Sequence, residues 1–308
     1  MAFSRIASLL PTATEILFAL GVGERVVAVT HECDYPAEAN AKTRILNTIV
    51  DASKSSKEID TQVASLVSNG QNIYKIDGNL FRSLAPDLVI TQTQCRVCAV
   101  YYDEVQQTVE DISSSTKVVA IEANGIEDIL NNIMHLGEIV GAEVKAKELV
   151  SKIRKRVEFV SNATKNARKI TTCFIEWIDP IYLGGHWVPE MIEVAGGFQP
   201  IQQKWKPSVP RKWEQVVKAA PEVLVICPCS YKMQKTLQEL PLLKSQEGWS
   251  SIPAVKSGRI FVSDEGYFSR NGPRFIDGLE ILASIIHPEI FGDRFTNGRE
   301  VLQLSNAY

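Results

Sequence analysis

Sulfur and imidazole side chains fall at short spacings that could bind a soft metal. Cys95 and Cys98 form a Cys-x-x-Cys pair at the start of a predicted helix, where the helix N-terminus lowers a thiol pKa. With His31 and Cys33 from a neighbouring strand end, they could form a tetrahedral zinc site or hold an iron–sulfur cluster. The same thiols could instead contact a ligand, form a redox-active disulfide, or pack as small buried residues. We take Cys33, Cys95 and Cys98 as the candidate metal ligands.

Aromatic side chains near predicted strand ends could hold a large flat ligand. Such a ligand is bound mainly by aromatic and apolar contact, with a few polar groups that bind its rim. Trp177 and Trp187 are the aromatic candidates, and Gly185 lets the backbone approach a ligand closely. The same tryptophans could equally be core residues. Glu32 and Glu176 are the carboxylates that we expect to accept hydrogen bonds from ligand amides or amines.

The sequence contains no recognisable catalytic set. It has no Gly-x-Ser-x-Gly motif, no phosphate-binding loop and no His-Glu-x-x-His motif. Cys95 or Cys229 could form a nucleophile–base pair with His31, but no third orienting group is recognisable. The sequence therefore favours a binding protein over an enzyme and indicates no catalytic residue.

Alternating strands and helices must position these side chains. Apolar strands followed by helices predict parallel sheets with helices on both faces, and ligands bind such sheets outside the carboxyl ends of the strands. The predicted strands cover 5–10, 25–30, 87–91, 117–121, 171–176, 223–227 and 259–263. The predicted ligand-binding residues are Pro11, Thr12, His31, Glu32, Cys33, Tyr35, Gln94, Cys95, Glu176, Trp177, Gly185, His186, Trp187, Cys229 and Tyr267.

The helices alternate with these strands. The sequence predicts helices over 16–20, 59–69, 81–85, 100–112, 126–140, 186–195, 213–218, 234–240 and 273–286. Residues 41–60 are predicted as loop and short irregular pieces, ahead of the helix that begins at 59. From residue 288 the sequence predicts a polar tail that wraps the surface or frays.

One long helix divides the strand–helix pattern into two halves. Residues 142–164 carry apolar side chains at a spacing of three to five, namely Val144, Leu149, Ile153, Val157 and Val160. At about 1.5 Å per residue this helix would span roughly 35 Å. We predict an α/β protein of two Rossmann-like lobes with mainly parallel sheets joined by one long rigid helix, with the binding site in the cleft between the lobes. The predicted domains are an N-terminal lobe over 1–141, a linking helix over 142–166 and a C-terminal lobe over 167–308.

Composition and charge limit the classes of partner. The chain has 308 residues, 45% hydrophobic and 22% charged, which suits two soluble domains. A net charge of −3 indicates neither nucleic acid nor anionic lipid as a partner, and no apolar run approaches the ~20 residues of a membrane span. The opening MAFSRIASLL lacks the regions of a secretory signal, and six cysteines without a signal favour thiols or ligands over disulfides. We expect a monomer that is cytoplasmic as printed, or periplasmic or extracytoplasmic if a leader has been removed.

Several motifs resemble the helical-backbone class of solute-binding proteins, which serves uptake of metals, iron chelates, haem and cobalamin. They include Ser8-Leu-Leu-Pro-Thr-Ala-Thr-Glu-Ile16, Ala19-Leu-Gly21 and Pro86-Asp87-Leu-Val-Ile90. The stretch ATEILFALGVGERVVAVTHECDYP resembles the cobalamin-binding branch, the partner of corrinoid ABC importers. A leaderless, cysteine-rich subgroup usually labelled cobalamin-binding is similar at Gln94-Cys-Arg-Val-Cys98, Glu176-Trp-Ile-Asp-Pro180, Gly185-His-Trp-Val-Pro-Glu190, Ala195-Gly-Gly197 and Pro228-Cys229.

The resemblance implies a protein that captures a small molecule in the inter-lobe cleft. The implied ligand is cobalamin, a related corrinoid, or another large planar or chelate ligand, and the implied partner is an ABC importer permease. It also implies two lobes joined by a rigid helix, with only small movements on binding. The alternative from the residues is a cytosolic thiolate-site protein on the same scaffold, with zinc or an iron–sulfur cluster as cofactor and with room for enzymatic activity.

Overall fold

The chain divides into two compact units, each built around its own sheet. The computed structural model describes residues 3–94, 97, 99–112, 115–299 and 301–304. The first unit comprises residues 1–54, 58–123 and 127–152. The second comprises 55–57, 124–126 and 153–308.

The first unit contains a six-stranded sheet in the order β4-β3-β2-β1-β5-β6. The strands are β1 (Ile6–Ser8), β2 (Val26–Thr30), β3 (Thr43–Thr48), β4 (Tyr74–Ile76), β5 (Leu88–Gln92) and β6 (Lys117–Ile121). All neighbouring strands run parallel except the antiparallel pair β3–β4. The helices between them are α1 (Pro11–Ala19), α2 (Ser56–Ser68), α3 (Gly78–Leu84), α4 (Tyr102–Ile112) and α5 (Ile126–Val140).

The centre of this sheet is stabilised by buried apolar side chains. Every residue of β5 is buried, as expected for a central parallel strand that is covered on both faces. Ala7, Ala28 and Val89 from three neighbouring strands join Phe81 of α3 and Val105 of α4 in one core cluster. The sheet's carboxyl edge is thereby held rigidly while the loops beyond it remain at the surface.

A single helix, α6 (Glu143–Thr164), continues from the first unit into the second. Its residues 143–152 belong to the first unit and 153–164 to the second. Close packing of α5 on α6 requires Gly137, because a Cβ there would lie 2.5 Å from the Ala146 Cβ. Ile153 and Val160 are buried as predicted, whereas Val144 is 70% exposed and lies off the buried stripe.

The second unit contains a seven-stranded sheet in the order β10-β8-β7-β11-β12-β13, with β9 paired to β7. The strands are β7 (Ile170–Trp177), β8 (Ile181–Leu183), β9 (Gly197–Phe198), β10 (Pro210–Arg211), β11 (Val223–Ile226), β12 (Ile260–Ser263) and β13 (Val301–Leu304). Strands β7, β11 and β12 are parallel, while β8, β10 and β13 add antiparallel edges, so this sheet is mixed. The helices are α7 (Val188–Val194), α8 (Trp213–Ala219), α9 (Met233–Lys244), α10 (Pro253–Lys256), α11 (Phe275–Ile286) and α12 (Pro288–Phe291).

The predicted fold class is confirmed, with corrections to individual elements. Helix α1 begins at Pro11, five residues before the predicted start, because proline suits the first helical position. Residues 43–48, predicted as irregular, form β3, and the predicted tail contains α12 and β13. Strand β13 has the mostly apolar sequence Val-Leu-Gln-Leu and pairs antiparallel with β12, so the prediction of a polar tail is wrong for these residues. Among the described helices, none combines the length and apolar character needed to cross a membrane.

Candidate functional site

The carboxyl end of β7 holds Glu176 in a fixed, partly buried position. Ser208 Oγ donates a hydrogen bond to Glu176 Oε1 at 2.9 Å, and the Gly185 N–H donates to Oε2 at 3.2 Å. A Cβ at Gly185 would lie 2.5 Å from the Ser208 backbone nitrogen, so this approach requires glycine. Burial raises the pKa of the Glu176 carboxyl, and the two hydrogen bonds oppose that rise. The net effect is a raised pKa, so this carboxyl keeps its proton to a higher pH than a free glutamate does.

Trp177, the last residue of β7, forms an aromatic pair with Tyr231. The rings of Trp177 and Tyr231 meet edge to face, with centroids 5.1 Å apart. Trp177 Nε1 is buried and has no hydrogen-bond partner among the described residues. The Lys235 ammonium lies 4.0 Å from the Tyr231 ring centroid, which is a cation–π distance. Tyr231 is only 2% exposed, so the aromatic surface open to a ligand at the end of β7 is that of the half-buried Trp177.

Two cysteines follow β11, in different environments. Cys227 is buried and its thiol lies 3.5 Å from the Asp264 carbonyl oxygen. Burial raises the pKa of Cys227 well above its usual value, and the charges of Glu265 and Asp264 act in the same direction. Cys229 is partly exposed, and its N–H donates to the Glu176 carbonyl at 3.1 Å. Of these two thiols, Cys229 is therefore the one placed to contact a ligand.

The end of β12 carries acidic side chains that face basic ones. Arg270 pairs with Glu265 at 2.6 Å, and both side chains are 7% exposed. Lys232 Nζ lies 3.4 Å from Asp264 Oδ2. Tyr267 is partly exposed at the same strand end. Both Arg270 and Lys232 are thus already engaged by carboxylates at this edge.

His186 and Trp187 precede α7 and differ in exposure. His186 has a φ of +50°, and its Nδ1 lies 3.0 Å from Asn124 Oδ1. Because a side-chain amide oxygen only accepts, His186 Nδ1 is the donor in this pair. Trp187 is 8% exposed, and its indole N–H donates to the Phe268 carbonyl at 3.0 Å. This placement favours the core interpretation of Trp187 that the sequence left open.

In the first unit, the start of α1 lies against Cys33. Pro11 and Thr12 form its first turn, and Thr12 is 4% exposed. The Thr14 hydroxyl lies 3.1 Å from Cys33 Sγ, and the Thr30 hydroxyl lies 3.3 Å from the same sulfur. Cys33 itself is fully buried. Its sulfur is therefore enclosed by two hydroxyl groups within the first unit.

The other first-unit candidates sit at the ends of β2 and β5. His31 Nδ1 lies 3.2 Å from the Leu46 carbonyl, and Glu32 is partly exposed. Tyr35 is 45% exposed. The Gln94 amide donates to the Ala123 carbonyl at 2.6 Å and accepts from the Ala123 N–H at 3.3 Å. These contacts fix Gln94 at the strand end, whereas Tyr35 presents open aromatic surface.

With this geometry established, comparison with known proteins identifies the family. The model of the periplasmic binding protein family matches residues 6–267 of the chain. The chain belongs to the periplasmic binding protein family. An uncharacterized ABC transporter substrate-binding lipoprotein of Bacillus subtilis (strain 168), YvrC, is 30% identical over 295 residues, covering 93% of this chain and 81% of the relative.

This periplasmic binding protein is also similar in sequence to a vitamin B12-binding protein and in structure to a heme-binding protein. A vitamin B12-binding protein of Vibrio parahaemolyticus (serotype O3:K6, strain RIMD 2210633) is 26% identical over 252 residues, covering 80% of each chain. The crystal structure of a periplasmic heme-binding protein from Pseudomonas aeruginosa matches with a TM-score of 0.71 at 17% identity, covering 94% of each chain. At that identity the structural match shows the shared fold. The family assignment makes this chain a substrate-binding protein.

The metal hypothesis for this periplasmic binding protein stays a prediction. Cys95 and Cys98, two of its three candidate ligands, lie outside the described residues. Within the described part of the chain, no group of three or more His, Cys, Asp or Glu residues is arranged to hold a metal ion. Neither zinc nor an iron–sulfur cluster is therefore assigned to Cys33.

Ser208 and Tyr231 were not predicted but form part of the second unit's candidate site. Ser208 contacts Glu176 across a separation of 32 residues, and no local pattern in the sequence indicates that contact. Tyr231 follows Cys229 by two residues, beyond the end of β11. An aromatic residue just after a predicted strand end was a usable signal for Tyr231.

Proposed function

We propose that this chain binds a cobalamin-like corrinoid as the substrate-binding component of an ABC importer. The observation that carries the proposal is the half-buried Trp177 at the carboxyl end of β7, directly after Glu176 in the chain. A large flat macrocycle is bound mainly by aromatic surface and by a few polar groups at its rim. The relative named vitamin B12-binding protein supports the same ligand class.

The charges at the second sheet's carboxyl edge favour an uncharged ligand rim. Cobalamin carries amide groups around its macrocycle, whereas haem carries carboxylates. A carboxylate-bearing ligand needs basic side chains, yet Arg270 faces Glu265 and Lys232 faces Asp264. A protonated Glu176 carboxyl can both donate to and accept from a ligand amide. The pairing of these charges therefore supports an amide-rimmed corrinoid over haem.

Each unit, taken by itself, contains aromatic and polar side chains that are candidate ligand contacts. In the second unit, Trp177 supplies the flat surface and Glu176 the hydrogen-bonding group, with Cys229 beside them. The remaining second-unit residues in the proposal are Gly185, His186 and Tyr267, whereas Trp187 is taken as a core residue. The first-unit residues in the proposal are Pro11, Thr12, His31, Glu32, Cys33, Tyr35 and Gln94.

The proposed partner is an ABC importer permease. The Bacillus subtilis relative is named as an ABC transporter substrate-binding lipoprotein. Its alignment with this chain covers 93% of the chain. An importer receives its substrate on the outer side of the membrane. We therefore propose an extracytoplasmic location, in place of the cytoplasmic expectation from the printed sequence.

Calorimetric titration tests the proposal. Cobalamin, cobinamide and haem are titrated separately into the purified chain. We expect cobalamin to bind with a dissociation constant at or below about 1 μM, which corresponds to about −8 kcal/mol. Heat from haem alone, or no heat and no spectral shift with either corrinoid, would overturn the proposal.

A tryptophan substitution connects the binding to the candidate site. Trp177→Ala is expected to weaken cobalamin binding by about 10-fold or more, because it removes the ligand's stacking surface. Phe198→Ala is the matched control, since Phe198 is an aromatic side chain that is 56% exposed and lies outside the proposed contacts. Equal affinities for Trp177→Ala and the control would remove Trp177 from the site.

A further inference from the structure

The buried carboxylate of Glu239, on α9, has hydrogen-bond partners for only one of its two oxygen atoms among the described residues. Glu239 is 9% exposed, and its Oε1 accepts hydrogen bonds from the Ser56 N–H at 2.9 Å and the Tyr231 hydroxyl at 3.2 Å. Its second oxygen, Oε2, is buried and has no hydrogen-bond partner among the described residues. A buried carboxylate oxygen without a partner carries a large desolvation cost. Glu239 therefore indicates a group that the protein's own side chains do not supply.

Two buried hydroxyl groups, of Thr236 and Ser56, also lack a hydrogen-bond partner among the described residues. Thr236 lies three residues before Glu239 on α9, so these two side chains occupy the same helical face. Ser56 belongs to the second unit, and its own N–H already contacts the Glu239 carboxylate. Both residues are fully buried, and within the described part of the chain neither Oγ has a hydrogen-bond partner. Three buried oxygen atoms, Glu239 Oε2, Thr236 Oγ and Ser56 Oγ, therefore lack a hydrogen-bond partner among the described residues.

The negative charge of the Glu239 carboxylate limits which group can bind its second oxygen. Among the described ion pairs none involves Glu239, and the nearby Lys235 ammonium lies over the Tyr231 ring. A carboxylate with two hydroxyls is an all-oxygen set, which hard metal cations prefer. One carboxylate balances a single positive charge. A divalent ion would leave excess positive charge buried beside Lys235, which is unfavourable.

We propose that Glu239 Oε2, Thr236 Oγ and Ser56 Oγ bind a monovalent metal cation, with sodium as the probe. The cation neutralises the buried carboxylate and gives all three oxygens a partner. Because Ser56 opens α2 and Glu239 lies on α9, the cation connects residues 55–57 to α9 within the second unit. None of the three oxygens is a proposed corrinoid contact, although Tyr231 touches both Glu239 and Trp177, and the sodium experiments use no corrinoid.

Sodium dependence of stability tests the site in the full chain. Sodium chloride replaces choline chloride at constant ionic strength, while the thermal unfolding midpoint and the sodium NMR linewidth are followed. We expect a saturable rise in the midpoint of about 2 °C or more, because a ligand that binds only the folded state stabilises it. We also expect the sodium signal to broaden beyond its width in buffer alone. A midpoint and a linewidth that do not depend on sodium would overturn the proposal.

Isosteric variants connect the effect to the named oxygens. Glu239→Gln removes the charge, and Thr236→Val removes one hydroxyl while keeping the side-chain shape. We expect Glu239→Gln to abolish the sodium-dependent rise, and Thr236→Val to raise the half-saturating sodium concentration by about 10-fold. Glu247→Gln, at an exposed position of the same unit, is the control and should keep the wild-type response. If Glu239→Gln does not fold, an unchanged sodium response in Thr236→Val would still contradict the site.

Discussion

Glu176 is expected to act through the neutral form of its carboxyl. Burial raises its pKa, so the protonated group can donate to a ligand carbonyl and accept from a ligand amide. Glu176→Gln keeps the size and the neutral character, and the Ser208 hydroxyl can rotate to accept from the new amide. We expect the cobalamin dissociation constant to change by less than about 3-fold in Glu176→Gln and to rise by about 10-fold or more in Glu176→Ala. Calorimetry measures both, and equal losses in the two variants would show that the charged carboxylate is required.

The described cysteines should differ sharply in their reactivity. Burial raises the pKa of Cys173 to about 12 and that of Cys227 well above its usual value, whereas Cys229 is partly exposed. Since the thiolate is the reactive form, iodoacetamide should label Cys229 in the folded protein and should label Cys33, Cys173 and Cys227 only after unfolding. Peptide mass spectrometry after timed labelling measures this order. Labelling of Cys227 as fast as that of Cys229 would contradict the burial found here.

At the scale of elements, apolar strands and periodic helices could be predicted, whereas polar or very short strands could not. Strand β6 and helix α5 begin and end at the predicted residues 117–121 and 126–140. Strand β3 has the mostly polar sequence Thr-Arg-Ile-Leu-Asn-Thr with no alternation, and β4 has only three residues. Strand β13 forms because β12 offers an edge for pairing, which is tertiary information that its own sequence lacks.

The same limit applies to the candidate site. Parallel strands with ligands at their carboxyl ends correctly indicated that Glu176 and Cys229 lie close together, and the Cys229 N–H bonds the Glu176 carbonyl. The Glu176–Ser208 bond could not be predicted, because the loop that supplies Ser208 has no periodic pattern. Whether these residues bind a ligand stays a prediction.

An ion-pair network joins α6 to α11 within the second unit and should stabilise it above acidic pH. Arg156 and Arg299 both contact Glu280 Oε2, at 2.6 Å and 3.1 Å. Burial alone would raise the pKa of Glu280, but the hydrogen bonds and charges of the two arginines outweigh it and lower that pKa. A carboxyl whose folded pKa is lowered contributes stability that is present above the unfolded pKa and is lost as pH falls through the folded pKa.

Glu280→Gln should therefore destabilise the protein in a pH-dependent way. At about pH 7 we expect the free energy of unfolding to fall by about 1–3 kcal/mol, the range for hydrogen bonds to charged groups. The difference from wild type should shrink below about pH 4, where the unfolded carboxyl is itself protonated. Urea unfolding at neutral and acidic pH measures both values, with the exposed Glu148→Gln as control. If the free energy of unfolding differs from wild type by the same amount at both pH values, the destabilisation comes from lost packing and not from the lost charge.

At the scale of the whole molecule, the fold and the family are established and the ligand is proposed. The strand–helix alternation predicted two α/β lobes, and the chain forms two units with separate sheets that share the helix α6. One scaffold of this kind serves different ligands, so the fold alone does not select cobalamin over haem. The selection depends on a few side chains at the strand ends. The domain boundaries at 141 and 166 and the rigidity of α6 stay predictions.

The ligand class is the central claim, and a direct competition tests it. The purified chain is mixed with equimolar cyanocobalamin and haem, and the complexes are resolved by native mass spectrometry. The paired charges of Arg270 and Lys232, together with the half-buried Trp177, predict that the complex with one cobalamin per chain predominates. A spectrum dominated by the haem complex, or by the unliganded chain, would contradict the proposal.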